Sequence, residues 1–339
     1  MCCCNNKKLV VFGSGRTGTA AAYACGMLDN FKEIMIIDTN KSKAIGKAID
    51  IQQGLILQNK DTLVNGTDDV KQIKGADVII ITASVPHAAK PGLDVREVLL
   101  HGNRPLITKL ATDIFGVVPA GTKQPLIIIL TNPMDLILSQ FIKTAKKVTN
   151  NKVDLKKVVG SGNWLDTARL KYYLSRAYNV APSTIESYAV AQHGLKIVYL
   201  LSQTKINGEL IETYIKTHKS ANGKLLSMDD LLKVIDEARF GGQTIIKYVG
   251  NSDSTVYGPG ISLQVLANAY LNDTKEKVVV STWCDGQYGV QDFAFGVPVI
   301  MGKNGVEKIL DLKISKQDQQ NYDTSYRFSL ELDRQKEKS

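Results

Sequence analysis

Short blocks of unbroken hydrophobic residues punctuate the first half of the chain: Leu9–Phe12, Ile34–Ile37, Val78–Ile81, Leu126–Leu130 and Val158–Val159. Each runs into Gly, Asp or Thr, and amphipathic sequence of helical length follows. A strand with one wet face alternates apolar and polar residues; an unbroken run is what a strand buried on both faces requires. The pattern therefore predicts a parallel sheet covered by helices, a doubly wound α/β domain. Such sheets bind ligands beyond the carboxyl ends of their strands. The residues just after each run, Gly13-Ser14-Gly15, Asp38, Thr82-Ala83-Ser84, Thr131-Asn132-Pro133 and Gly160-Ser161-Gly162, are thus the ones to inspect.

The second half has a different rhythm. Glu186–Ala191 and Ile197–Leu201 read as strands, Ile206-Asn207-Gly208-Glu209 as a hairpin turn, and Met228–Val249 as one long helix. Val278–Trp283 and Phe295–Met301 alternate enough to predict antiparallel strands, and the segment from Ser315 predicts a charged amphipathic helix. No repeat or low-complexity linker interrupts the chain. The expected organisation is a flexible tail over residues 1–7, a first domain over 8–158 and an α+β domain over 159–339.

Composition narrows the function classes. With 44% hydrophobic and 22% charged residues, the 339-residue chain has ordinary globular usage, which excludes a disordered, collagen-like or coiled-coil protein. No apolar run reaches the roughly 20 residues of a membrane span, and Leu9–Phe12 is too short for a signal-peptide core. Five cysteines, three of them clustered as Cys2–Cys4, form neither a disulfide framework nor a zinc-spaced set, so reduced thiols, a cytoplasmic setting and no metal are expected. Acylation of the cysteine triplet is the alternative to a bare tail. The net charge of +9 comes mostly from dispersed lysines; only eight of the 42 basic residues are arginine. Basic residues scattered without interleaved aromatics argue against a nucleic-acid surface. Scarce arginine also singles out each one, because only arginine binds a carboxylate through two parallel hydrogen bonds.

Gly13-x-Gly15-x-x-Gly18 follows a predicted strand and opens a predicted helix, and Asp38 stands twenty residues beyond Gly18 at the end of the next strand. In a Rossmann unit the first glycine makes the tight turn, the second lets the backbone approach a pyrophosphate, and the third lets helix and strand pack closely. The pyrophosphate would lie on the helix N-terminus, where free N–H groups favour an anion. Asp38 would take the adenosine ribose hydroxyls and repel a 2′-phosphate, which favours NAD over NADP. Among four histidines, His193 follows a strand-like run and precedes a glycine. Asp166 and Arg169, at i and i+3 of a helical stretch, share one face. A carboxylate beside an imidazole fixes its tautomer, as a reversible proton donor requires. Spacing alone does not separate that arrangement from a structural ion pair.

Several ordered segments carry a resemblance. VFGSGRTG with Asp38, GKAIDIQQG at Gly46–Gly54, ITAS at Ile81–Ser84, Arg96 with Asn103 seven residues on, LTNPMD at Leu130–Asp135, GSGNWLDTAR at Gly160–Arg169 and QHG at Gln192–Gly194 resemble the lactate/malate dehydrogenase family, from Lys8 to about Leu312. The resemblance implies a Rossmann NAD-binding domain followed by a catalytic domain, and assembly as a homotetramer or homodimer. It implies that His193 exchanges a proton with the substrate oxygen, that Asp166 orients it and that Arg169 clamps the substrate carboxylate. Arg96, on a mobile loop, would polarise the carbonyl. Asn132 would bond near the carbonyl and the nicotinamide ribose, through a cis peptide to Pro133. Arg16, Thr17, Thr82, Ala83, Ser84, Asn103 and Thr131 would complete the cofactor site with Gly13, Gly15, Gly18 and Asp38.

The departures concern the substrate. The segment Ser84–Arg96 is longer than the usual family loop, and Ser84 replaces a common glycine. Where the family usually shows GEHGDS, this chain reads Ala191-Gln192-His193-Gly194-Leu195-Lys196. A malate enzyme needs a partner for a second carboxylate, usually an arginine in the loop; none lies between Ser84 and Arg96, and His87 and Lys90 occupy that region. An unpaired buried carboxylate is costly. Together with GSG at Gly160–Gly162 and Thr255 in Ser254-Thr-Val-Tyr-Gly258, this favours L-lactate and pyruvate over malate and oxaloacetate. Two alternatives remain open: a malate enzyme using Lys90, and a non-catalytic NAD-binding scaffold.

Overall fold

The computed structural model describes residues 6–86, 95–118, 122–250 and 254–334. Cys2–Cys4, His87 and Lys90 lie outside them. The first half runs β1 (Lys7–Phe12), α1 (Arg16–Gly26), β2 (Phe31–Ile37), α2 (Lys41–Leu57), β3 (Leu63–Thr67), β4 (Val78–Ile81), α3 (Val95–Val117), β5 (Leu126–Ile129), α4 (Met134–Val148) and β6 (Val158–Gly160). The second half runs α5 (Asn163–Tyr178), β7 (Ile185–Glu186), β8 (Ala189–Ala191), β9 (Ile197–Tyr199), β10 (Lys205–Ile206), β11 (Glu209–Leu210), α6 (Ile211–Thr217), α7 (Met228–Arg239), α8 (Gly241–Val249), α9 (Tyr257–Asn272), β12 (Glu276–Asp285), β13 (Gln291–Gly302), β14 (Gly305–Ile309) and α10 (Lys316–Arg334).

The chain divides into two compact units. One runs through Ser161 and takes in Val256–Glu276 and Ile300–Lys308; the other comprises Gly162–Thr255, Lys277–Val299 and the chain from Ile309. Two segments expected in the second domain therefore cluster with the first. Gly260 shows why for α9: a Cβ there would stand 3.0 Å from that of Ala20, so two small-residue helix surfaces meet closely.

In the first unit the sheet order is β3-β2-β1-β4-β5-β6, every pair parallel. The five predicted runs are five of its six strands, with Leu9–Val11, Ile79–Ile81 and Ile127–Ile129 fully buried. The sixth, β3, escapes the unbroken-run criterion because it is an edge strand: Leu63 is 56% exposed while Val64 is buried. Strand order reverses between β1 and β4, and ligand crevices of doubly wound sheets open at that switch.

In the second unit β12, β13, β8 and β9 are neighbours in that order, with β8 antiparallel to both β13 and β9. The expected strand over Glu186–Ala191 is split into β7 and β8, which join different sheets. The hairpin turn forms between β10 and β11, with Asn207 and Gly208 both at positive φ, as a two-residue primed turn demands. The expected single helix over Met228–Val249 is two helices hinged at Phe240. The break falls at Gly241 and Gly242, beside Arg169: a Cβ on Gly242 would sit 2.9 Å from its Nη2. Continuity of the helix yields there to room for a guanidinium.

Candidate functional site

The turn after β1 is built by three glycines with three different duties. Gly13 takes φ 102°, and a Cβ on it would stand 2.9 Å from the Ala83 nitrogen. A Cβ on Gly18 would clash with the Gly13 carbonyl, so only glycine lets α1 lie on the turn. Gly15, the N-cap of α1, has nothing within 4 Å of its Cβ position and provides no side-chain cap. The open space and uncapped N–H groups at the start of α1 form a cradle that suits a phosphate anion. Arg16 is exposed and Thr17 half-buried in its first turn.

Asp38 follows β2 directly, with one oxygen accepting from the Ser14 N–H and hydroxyl, both at 2.7 Å, and the other from the Asn40 N–H at 2.9 Å. Partial burial opposes its charge, but these hydrogen bonds and nearby Lys43 outweigh it and hold the carboxyl below its usual value. It stays a carboxylate, as discrimination for ribose hydroxyls over a phosphate requires. The residues present fit the adenosine and pyrophosphate parts of NAD.

The other predicted cofactor residues divide into scaffold and surface. Thr82 Oγ1 donates to the Phe12 carbonyl, and Thr131 Oγ1 donates to that of Ala83 at 2.8 Å. Asn103 is wholly buried: its Oδ1 accepts from the Val85 N–H (2.8 Å) and the Ser84 hydroxyl (3.1 Å), and its Nδ2 donates to the Asn132 carbonyl (2.8 Å). It thereby ties the strand-end segment at Ser84 to the exposed Asn132, whose bond to Pro133 is cis as expected. Arg96 departs from the loop expected for it and sits on the second residue of α3, half-buried. Val95–Leu100 favours a helix, and Glu97 complements its N-terminus. Thr255 is half-buried just ahead of α9 in the chain.

The second unit brings Asp166, Arg169 and His193 together. Asp166 Oδ2 meets His193 Nδ1 at 2.7 Å, and its Oδ1 accepts from Arg169 Nη1 at 2.7 Å. The Asp166 side chain is 3% exposed, those of His193 and Arg169 13% and 14%. Burial disfavours the Asp166 charge, but the His193 contact and then Arg169 outweigh it and hold the carboxyl low. A carboxylate accepts only from an Nδ1–H, so the contact fixes the neutral ring in that tautomer. One Arg169 donor is spent on Asp166, and its Nε is buried with no partner, a donor still to be used. The other described histidines differ: His101 is exposed, and His218 stacks on Tyr214 at 3.9 Å.

Two further contributors have roles that the sequence reading did not assign. A Cβ on Gly162 would stand 2.6 Å from His193 Cγ, so the last glycine of Gly160-Ser161-Gly162 makes room for the imidazole and need not report substrate type. Ser325 of α10 accepts from the Gln192 N–H (3.2 Å) and donates to the Lys196 carbonyl (2.7 Å), bracketing His193. Its signal was a serine on the buried stripe of an amphipathic helix, alongside Tyr322 and Ser329. Among the described residues no group of His, Cys, Asp and Glu could hold a metal, and no helix is long and apolar enough to cross a membrane.

A dinucleotide cradle in one unit and a buried Asp–His–Arg set in the other define an NAD-linked dehydrogenase of small acids. Comparison with known proteins agrees. Residues 7–155 match the lactate/malate dehydrogenase NAD-binding domain and residues 164–338 the alpha/beta C-terminal domain of the same family. Malate dehydrogenase of Pelagibacter ubique is 34% identical over 93% of this chain and 92% of its own; that of Anaplasma marginale is 30% identical over 94% of each. Among solved structures, Cryptosporidium parvum malate dehydrogenase superposes with a TM-score of 0.86 at 29% identity, covering 97% of this chain and 98% of its own. The lactate dehydrogenase of that organism, complexed with lactic acid and NAD, gives 0.87 at 28% and covers 99% of each. The chain belongs to the lactate/malate dehydrogenase family, whose members are NAD-dependent 2-hydroxyacid dehydrogenases.

Proposed function

We propose that this protein is an active enzyme that interconverts L-lactate and pyruvate. The observation that carries the catalytic reading is the 2.7 Å contact of His193 Nδ1 with a buried carboxylate that also holds Arg169. NAD, when bound in the cradle around Gly15, supplies the hydride chemistry at the substrate carbon. In the reducing direction His193 Nε2 gives its proton to the keto oxygen as that oxygen gains negative charge. In the oxidising direction the neutral imidazole takes the hydroxyl proton back. Asp166 holds the ring in one tautomer and balances the imidazolium, which keeps both directions open. Arg169, with donors beyond the one on Asp166, anchors the substrate carboxylate, and Arg96 polarises the carbonyl.

The preference for pyruvate rests on the missing arginine between Ser84 and Arg96. The malate reading is favoured by the names of the Pelagibacter and Anaplasma relatives, and it assigns the second carboxylate to Lys90. A cytoplasmic homo-oligomer completes the proposal; Cys25 and Cys284, both buried free thiols, suit a reducing compartment.

NADH consumption with pyruvate and oxaloacetate in parallel tests this, repeated on Lys90→Ala and His193→Ala. Preference for pyruvate, insensitive to Lys90 and reduced on the order of 10³-fold or more by His193→Ala, is expected. Preference for oxaloacetate that disappears with Lys90→Ala assigns malate instead. NADH binding without turnover on either acid makes the protein a scaffold.

A further inference from the structure

The bend that delivers His193 is strained. Ala191, the last residue of β8, is fully buried with φ 69°, a left-handed conformation that a residue with a Cβ adopts only at a cost. Such a conformation persists only where its surroundings enforce it, and here they are specific. Asn163, the first residue of α5 and itself fully buried, donates from Nδ2 to the Ala191 carbonyl at 2.9 Å. Its Oδ1 accepts from the Ser281 hydroxyl of β12 at 3.2 Å, so both ends of the carboxamide are engaged and its orientation is set. Opposite Ala191 on β13 stands Gly296, where any Cβ would clash with both the Ala191 carbonyl and Asn163 Nδ2. The hydrogen bond therefore occupies a slot that three elements leave open for it.

The same helix end touches the bend at further points. Gly162 abuts the His193 ring, and Thr167 Oγ1, which donates to the Asn163 carbonyl, accepts from the Ala189 N–H at 3.1 Å. One turn along, α5 carries Asp166. The helix that holds the carboxylate partner of His193 thus also holds the backbone that leads to His193. Of these contacts from α5, the Asn163 bond is the one made directly to Ala191, whose backbone also pairs with β9 and β13.

We propose that Asn163 is a positioning residue for the proton relay: by pinning the Ala191 carbonyl to α5 it keeps His193 Nδ1 within hydrogen-bonding distance of Asp166. The inference deepens the dehydrogenase reading and rests on it for its catalytic consequence. Removing the pin lets the left-handed bend relax and the imidazole drift from the carboxylate. The substrate anchor Arg169 and the cofactor cradle are untouched, so the loss belongs in kcat and not in KM or NADH affinity.

The test compares Asn163→Ala, Ser281→Ala and the double variant Asn163→Ala/Ala191→Gly. Two readouts are followed: turnover of the better 2-keto acid, and the low-field proton resonance of His193 Nδ1–H bonded to Asp166, assigned by its loss in His193→Gln. For Asn163→Ala, kcat should fall on the order of tenfold with KM and NADH affinity within about twofold, and the resonance should broaden or vanish. Relieving the strain with Ala191→Gly should restore both readouts to within about threefold of wild type. If Asn163→Ala fails to fold, Ser281→Ala, which only frees the carboxamide, should show the same changes at about threefold. Unchanged kcat and resonance in a folded Asn163→Ala or Ser281→Ala variant would overturn the inference, as would a loss carried by KM. Absence of turnover in the wild type would sink the dehydrogenase reading alone, because the resonance still decides whether Asn163 positions His193.

Discussion

In the first unit the cradle for the pyrophosphate is backbone: uncapped N–H groups at the start of α1, open space at Gly15, and hydroxyls of Thr82 and Thr131 turned inward to hold neighbouring carbonyls. In the second unit the site is side chain, with Asp166, Arg169 and His193 converging from α5 and the turn after β8. The backbone site needs no buried charge, and its requirement is steric, so it is met by omitting side chains at Gly13, Gly15 and Gly18. The side-chain site buries an ion pair and must supply its partners, its tautomer and its aim. The glycine cradle is damaged by adding atoms, the side-chain site by removing them.

The side-chain site should show the largest single effect. Asp166→Asn keeps the shape and removes the charge, presenting an amide to His193 Nδ1 and favouring the wrong tautomer. Turnover should fall on the order of 10²- to 10⁴-fold, with NADH affinity unchanged. The same variant has a stability signature with a definite sign. The Asp166 carboxyl is held below its unfolded value of roughly 3.9, so its contribution is complete above that pH and is lost as pH falls through the folded value. Denaturation should therefore show the variant less stable than wild type near neutrality, with the gap narrowing as pH drops from about 5 toward 2. A gap that stays constant across that range would mean the carboxylate is not held by His193 and Arg169.

The backbone site should break next, and by addition. Gly18→Ala places a methyl against the Gly13 carbonyl, where neither backbone can yield without separating α1 from β1. Overpacking of this kind should cost about 3 kcal/mol in chemical denaturation and abolish NADH binding, while the His193–Asp166 resonance in the second unit survives. An unchanged midpoint would show that the turn is more pliable than its contacts indicate.

How much could be read without coordinates follows from the same contrast. A site made of backbone leaves its mark over a short stretch, because the turn, the helix start and the acid after the next strand are neighbours in sequence. Gly13-x-Gly15-x-x-Gly18 with Asp38 and five of the six parallel strands are therefore legible from pattern alone. Asp166 and His193 lie 27 positions apart, and nothing local joins them; family resemblance, not spacing, paired them. Edge strand β3 escapes the pattern because exposure on one side breaks its apolar run. The pattern over Met228–Val249 shows no break because the demand on Gly242 comes from Arg169, some seventy positions earlier. The jobs of Asn163, inside the GSGNWLDTAR segment, and of Ser325, outside any motif, are invisible to sequence, since each acts on a carbonyl or N–H that sequence does not display.

The smallest effect separates binding from folding within the backbone site itself. Gly15 and Gly18 belong to one fingerprint, yet a Cβ at Gly15 meets nothing within 4 Å, and the residue is not at positive φ. Gly15→Ala should therefore leave the denaturation midpoint unchanged, or raise it slightly by restricting the unfolded chain. Its methyl would project into the open space ahead of the α1 N–H groups, so NADH affinity should weaken about tenfold by fluorescence titration, about 1.4 kcal/mol. Opposite responses from two glycines three residues apart would show that one serves the fold and the other the cofactor. Equal loss of stability in both would mean Gly15 is structural too, and that the pyrophosphate is held elsewhere on the turn.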